Sequence, residues 1–275
     1  MSKVWLVTGS GRGLGLEVVR AALAAGDSVV ATARDTSTLA RLLAEHENAL
    51  RLFALDVTDA DAAQEAADFA VAAFGRIDVL VNNAGYAHLA PFELIAEGDF
   101  RNQVDTNFYG VINLVRAVLP VMRRQRAGHV INVSSVGGRV TTPGLSAYQA
   151  AKWAVSGFTE ILAKETAGFG VRAVSVEPGG IRTDWGSGAT EDDNPIPADY
   201  DGSVGVAHRR LAEHTGSEVG DPVRIAQVIV DLSRRDDLPA HLILGSDALA
   251  AFATSEDLRR REMAAWLPVS QSTDF

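Results

Sequence analysis

The sequence predicts one α/β domain across residues 1–275, a doubly wound seven-stranded parallel sheet with helices on both faces. Three observations predict it. Seven short runs are rich in Val, Leu and Ile and lack polar alternation, as strands buried on both faces do. Longer amphipathic stretches separate them, and strand–helix alternation with right-handed crossovers gives a doubly wound sheet. No repeat, composition break or low-complexity linker interrupts the 275 residues.

The first strand, "KVWLVT" (3–8), runs into "TGSGRGLG" (8–15) and a helix at 13–25. Gly9, Gly13 and Gly15 stand where the chain must turn sharply. Glycine permits positive φ and a close approach of backbone to ligand, and the following helix offers free N–H groups to a diphosphate. This predicts a nucleotide at the corner, and with it a Rossmann-like fold. The second strand (28–33) ends before Arg34 and Asp35 and a helix at 37–46. In nicotinamide-binding folds this strand end reads the adenosine ribose: an acid bonds the free hydroxyl of NAD, an arginine accommodates the phosphate of NADP. Asp35 also suits the start of the next helix, where a carboxylate meets free N–H groups.

Strand 50–55 precedes Asp56 and Val57 and a helix at 60–74; strand 78–82 precedes "NNAG" (82–85) and a helical pattern at 97–126. Strand 129–134 ends in Ser134 and is followed by Ser135, ahead of "SAYQAAKWAV" and a helix at 148–168. Tyr148 and Lys152 are four apart, one helix face. Four tyrosines and three lysines in 275 residues produce such a pair by chance in about one chain in twenty-five, so its weight depends on its surroundings. The chemistry suits proton transfer. A free tyrosine ionises near pH ~10, and an adjacent ammonium favours tyrosinate.

Strand 171–176 leads to "PGGIRT" (178–183). Residues 186–221, rich in Gly, Pro and acids around a short helical pattern at about 200–214, break the rhythm and are expected to form a substrate lid. A helix at 222–234 and a strand at 241–245 complete the fold, leaving a C-terminal extension after 247.

Thr8-Gly-x-x-x-Gly-x-Gly15, "NNAG", Asn107, Ser135, Tyr148-x-x-x-Lys152 and "PGGIRT", in this order and spacing, resemble the compact single-domain branch of the short-chain dehydrogenase/reductase family. The resemblance runs motif by motif over residues 3–185 and loosely to the last strand. It implies a catalytic set of Asn107, Ser135, Tyr148 and Lys152, with Ser134 the adjacent alternative to Ser135. Tyr148 would be the acid, Ser135 would hold the substrate oxygen, Lys152 would tune Tyr148 and bond the nicotinamide ribose, and Asn107 would hold a water linking Lys152 to solvent.

The same resemblance assigns cofactor binding to Gly9, Ser10, Arg12, Gly13, Leu14 and Gly15 in the turn, and to Arg34, Asp56 and Val57 at the adenosine end. Asn83, Ala84 and Gly85 would pass beneath the cofactor, and Pro178, Gly179, Ile181 and Thr183 would hold the nicotinamide amide. By its NADP-preferring members, Arg12 and Arg34 would clamp the 2′-phosphate with Ser10 nearby, making NADPH the expected cofactor; the competing assignment gives Asp35 the ribose and the cofactor NAD. The expected function is reduction of a ketone or aldehyde, reversible as alcohol oxidation. A non-catalytic NADP(H) sensor or scaffold is the alternative, and such relatives commonly lose the tyrosine or lysine. The family also implies a homodimer or homotetramer, built on the helices at 107–126 and 148–168.

Composition narrows the partners. A net charge of −10, from 25 basic and 35 acidic residues, disfavours a nucleic-acid binder. The chain has no cysteine, which excludes thiol catalysis, disulfides and Cys-held metals and fits a reducing cytoplasm. Six histidines show no metal-ligand spacing, so no metal is expected. The apolar run at the N-terminus is too short for a signal peptide or a membrane span.

Overall fold

A computed structural model describes residues 2–190 and 195–275; Met1 and residues 191–194, which fall within the expected lid, lie outside the described residues. The seven strands are β1 (Val4–Val7), β2 (Ser28–Ala33), β3 (Leu50–Ala54), β4 (Val79–Asn82), β5 (Gly128–Val133), β6 (Val171–Pro178) and β7 (His241–Leu244). All pairs are parallel, in the order β3-β2-β1-β4-β5-β6-β7.

Strand alternation builds two cores. Trp5, Val7, Val29, Ala31, Val79, Val81 and Ile131 face α1 (Gly13–Ala24) and α9 (Pro222–Leu232). Their neighbours Leu6, Val30, Leu80 and Val130 face α3 (Ala60–Phe74), α5 (Gly110–Gln125) and α6 (Ser146–Thr166). Both faces are therefore covered, which is why the strands read as continuous apolar runs. The strand order reverses between β1 and β4, so their carboxyl ends splay and open a crevice there.

The chain departs from expectation in four places. The stretch expected as a helix at 37–46 starts as a 3₁₀ turn, Ser37–Leu39, and is α-helical only over α2 (Ala40–Glu45). The stretch expected as one helix at 97–126 is α4 (Glu97–Val104), a π-turn (Asp105–Tyr109) and α5. The extra residue of the π-turn turns Asn107 inward, where it is fully buried. The described parts of the lid are more ordered than their composition suggests: α7 (Trp185–Thr190), a 3₁₀ turn (Ala198–Tyr200), a π-turn (Asp201–Gly205) and α8 (Val206–His214). The C-terminal extension is α10 (Ser246–Gln271), which packs through Ala248 and Phe252 and is solvent-exposed from Arg260 onward.

Candidate active site

The first wall of the crevice is the β1–α1 corner. Gly9 has φ +65°, and a Cβ there would lie 2.8 Å from Ala84 Cα; one on Gly15 would lie 2.2 Å from Gly9 O. Only glycine fits either position. Arg12, at the N-cap of α1, is extended and makes no side-chain cap, leaving the first N–H groups of the helix to the crevice. Thr8 Oγ1 accepts from the N–H groups of Asn83 (3.0 Å) and Ala84 (3.1 Å), and Asn83 Nδ2 donates to Thr8 O and Gly9 O. The turn and the "NNAG" segment are thus one unit. Across the crevice, a Cβ on Gly13 would touch Thr183 Cγ2 at 3.4 Å, so the 178–183 loop faces the turn.

Ser10 departs from expectation. Its side chain is fully buried and donates to Val7 O at 2.9 Å, so the hydroxyl braces the turn and does not face a phosphate. Leu14 is likewise a core residue, leaving only its backbone to the crevice. Arg12 and Arg34 are both exposed and neither forms an ion pair among the described residues. Gly11 lies against Thr38, Ala33 and Asp35, which brings the two arginines to one corner. Asp35 is occupied locally: its carboxylate accepts from Ser37 N at 2.8 Å, and that bond lowers its pKa. Asp56 accepts from the N–H and hydroxyl of Thr58, which hold its pKa low, with Arg34 adding a weaker attraction. Val57 packs beside it, in contact range of Gly110.

The second wall carries the expected catalytic set. α6 starts at Ser146, so Tyr148 sits in its first turn and Lys152 one turn on; both are buried. Ser135 caps the short turn after β5, accepting from Gly137 N at 3.0 Å, and its side chain lies near enough to Tyr148 to lower the phenol's pKa. Ser134 is committed elsewhere: its hydroxyl meets Lys152 O (3.0 Å) and Ser156 Oγ (2.9 Å) behind the helix. The geometry therefore brings Ser135, not Ser134, to the tyrosine. Asn107 Nδ2 donates to Tyr86 O and Gln103 O, both at 2.8 Å, while its Oδ1 has no partner among the described residues. A Cβ on Gly85 would lie 2.5 Å from Asn107 Oδ1 and 3.4 Å from Lys152 Nζ, so the three converge on one point.

The electrostatics differ from what the Tyr–Lys spacing implies. Burial pushes the Tyr148 hydroxyl up to about 12, only partly opposed by the Ser135 side chain. Burial pulls Lys152 down to about 8. Lys152 Nζ donates to Val133 O at 2.9 Å and lies 5.7 Å from the centre of the Tyr148 ring. In this closed arrangement, desolvation of the phenol sets the direction. The cover is Trp185, whose ring lies 5.1 Å from that of Tyr148.

Two further residues, Asp247 and Glu177, serve the site without a sequence signal. Asp247 Oδ2 accepts from Gly180 N at 2.9 Å and pins the 178–183 loop from the start of α10. Ile181 in that loop bridges to Gly220, the far end of the lid. Glu177, fully buried, accepts from Ser156 (2.9 Å), Ser175 (3.0 Å) and His241 (2.7 Å) through Oε1, with Arg139 3.6 Å from Oε2. Through Ser156 and Ser134 this cluster braces the turn of α6 that carries Lys152. His241 links it outward to Glu160.

Comparison with known proteins agrees with this architecture. The short chain dehydrogenase family profile matches residues 3–194. Oxidoreductase BOA17 of Botryotinia fuckeliana is 44% identical over 272 residues, 96% of this chain and 98% of its own. A short-chain dehydrogenase structure from Streptomyces avermitilis superposes with a TM-score of 0.92 at 39% identity, covering 100% of both chains. A short chain dehydrogenase/reductase from Burkholderia phymatum, in complex with NAD, gives a TM-score of 0.82 at 25% identity over 94% of this chain and 95% of its own. The chain belongs to the short-chain dehydrogenase/reductase family, NAD(P)-dependent oxidoreductases acting on CH–OH groups. Among the described residues, no helix is long and apolar enough to cross a membrane, and no cluster of three or more His, Asp or Glu could hold a metal.

Proposed function

We propose that the protein is an NADPH-dependent reductase of a ketone or aldehyde, running in reverse as an alcohol dehydrogenase. The observation that carries this reading is the meeting of Ser135, Tyr148 and Lys152, with Asn107 and Gly85, at the sheet's switch point. The residues present fit the dinucleotide. In the glycine cradle Gly9 and Gly15 would collide with any Cβ and Gly13 has φ +55°, the α1 N–H groups are uncapped, and Asn107 Oδ1 is an orphaned buried acceptor among the described residues.

The turn from Gly9 to Gly15 would hold the diphosphate, with Arg12, Leu14 and Ser10 contributing backbone and Arg12 also its side chain. Asp56 and Val57 would flank the adenine, and Asn83 to Gly85 would lie under the ribose. Pro178, Gly179, Ile181 and Thr183 would address the nicotinamide amide. When bound, the dihydronicotinamide supplies the hydride. Tyr148 gives its proton to the substrate oxygen, which Ser135 Oγ holds in place. The ammonium of Lys152 stabilises the tyrosinate left behind, and Asn107 Oδ1 anchors the route by which solvent restores the proton. The lid between 186 and 221 opens to admit substrate and closes to exclude water.

NADP over NAD is supported by two exposed arginines free of ion pairs at one corner and by an Asp35 already satisfied by Ser37. The retained Tyr148–Lys152 pair speaks against the sensor or scaffold alternative. Exposed Tyr109, Trp153 and Ile161 on the π-turn and α6 support a homodimer or homotetramer paired through these helices. The protein would work in the cytoplasm, without nucleic acid or membrane as a partner. A panel of carbonyl compounds followed by NADPH oxidation tests the reading. Oxidation with at least one compound is expected; NADPH binding with no oxidation across the panel would favour the non-catalytic alternative.

A further inference from the structure

The lid turns one chemical character toward Tyr148. Its residues Trp185, Ile196, Val204 and Leu211 pack with Leu89 and Leu145 into a single apolar cluster over the tyrosine. The two sides are joined by Leu89 N donating to Ala189 O at 2.9 Å. They meet closely at Gly144 (φ +90°), where a Cβ would lie 2.9 Å from both Leu89 Cδ2 and Val204 Cγ1. Trp185 is tilted 52° on the Tyr148 ring and leaves the tyrosine 8% exposed. A carbonyl oxygen cannot reach the hydroxyl until Trp185 yields.

Charged groups in this region face elsewhere. Lys152 Nζ is turned to Val133 O, on the Gly85 side of the tyrosine. Arg209 pairs with Asp201 on the exposed surface, Glu93 raises the pKa of Tyr200, and His88 is exposed with its ring edge-on to Tyr86. Asp184 is exposed as well. The described acids of the stretch 184–201 are Asp184, Asp199 and Asp201, the last of them paired with Arg209. Either sign of charge would lose its hydration inside among Leu, Val and Trp, with no ionic partner in that cluster among the described residues to replace it.

We infer that the substrate is an uncharged carbonyl compound carrying apolar bulk beside the carbonyl, and that Trp185 is the specificity-determining residue it displaces. This rests on Tyr148 being the proton donor. Tyr148 and Ser135 would serve the carbonyl oxygen, and the cluster above them is apolar. The apolar flank takes over the contacts that the closed lid makes with itself, so burial drives both binding and lid opening.

The test uses three matched ligands: a methyl ketone with an alkyl tail, the same ketone ending in a carboxylate, and the same ketone ending in an ammonium. Binding to the NADP complex is read from tryptophan emission in the wild type and in Trp185→Phe, and turnover from NADPH oxidation. The expected result is an emission change that is lost in Trp185→Phe, strongest for the neutral ketone. The kcat/KM for that ketone should exceed either charged congener by about tenfold or more. A charged congener bound or reduced as well as the neutral one overturns the inference, as does no emission change with any of the three. Preferential binding of the neutral ketone without NADPH oxidation would uphold the apolar site and defeat the reductase reading instead.

Discussion

Lys152→Met is expected to remove turnover and, at neutral pH, to stabilise the cofactor-free protein. The Lys152 ammonium is 4% exposed and has one hydrogen bond, to Val133 O at 2.9 Å. It has no carboxylate partner among the described residues, and burial brings its pKa from 10.5 to about 8. A shift of ~2.5 units corresponds to about 3 kcal/mol of cost for burying the charge. Losing the bond to Val133 O returns about 1–2 kcal/mol of that, leaving a net gain of about 1–2 kcal/mol for an apolar side chain of similar length. The sign with pH follows from the lowered value. Lys152 contributes stability above its unfolded pKa of 10.5, and that contribution is lost as pH falls through about 8. The wild type should therefore gain on the variant by about 3 kcal/mol between neutral pH and the unfolded pKa, reversing the order. Urea unfolding of both proteins across this range measures the difference directly, and the Tyr148 contribution cancels between them. A difference that does not change with pH would refute the buried, unpaired ammonium.

Other substitutions probe the remaining parts of the site. Arg34→Asp should weaken NADPH binding by about 10–100-fold, the worth of a charge-assisted phosphate contact, and NADH binding far less, as measured by calorimetry. Equal losses would count against the phosphate clamp. Asp247→Ala releases Gly180 N and should raise KM for the cofactor more than it lowers kcat, with about 1 kcal/mol lost in thermal unfolding. Glu177→Ala leaves Arg139 and three hydrogen-bond donors without their buried carboxylate and should cost about 3–5 kcal/mol in urea unfolding; Glu177→Gln should cost much less, because an amide oxygen can still accept from Ser156 and Ser175.

Buried parallel strands announce themselves. All seven were expected within two residues of where they lie at either end, because neither face meets water and no polar alternation dilutes the apolar run. The glycine turn was equally legible, since the close approaches at Gly9 and Gly15 admit no other residue. What escaped depends on neighbours distant in sequence. Glu177 reads as one acid before a proline, yet its partners come from β6, β7, α6 and the turn after β5. Asp247 reads as the start of a tail, although it meets a loop 67 residues earlier. The π-turn was hidden because Val104, Phe108, Val111 and Leu114 keep a helical period across it. α10 lacked a sustained apolar stripe, since little of it packs on the body. The four-residue step from Tyr148 to Lys152 pointed to a lowered tyrosine pKa; burial beneath Trp185 reverses the direction, and that contact joins a helix to the lid.

The most direct test of the proposed chemistry is single-turnover NADPH oxidation by Tyr148→Phe, in the presence of a carbonyl substrate of the wild type. The phenylalanine keeps the ring that meets Trp185 and removes the hydroxyl, and with it the proton and the interaction with Ser135. The account predicts a fall in rate of about 10²–10⁴-fold, with NADPH affinity within about threefold of the wild type. A variant that binds NADPH normally and still oxidises it at a rate near that of the wild type would show that Tyr148 is not the acid.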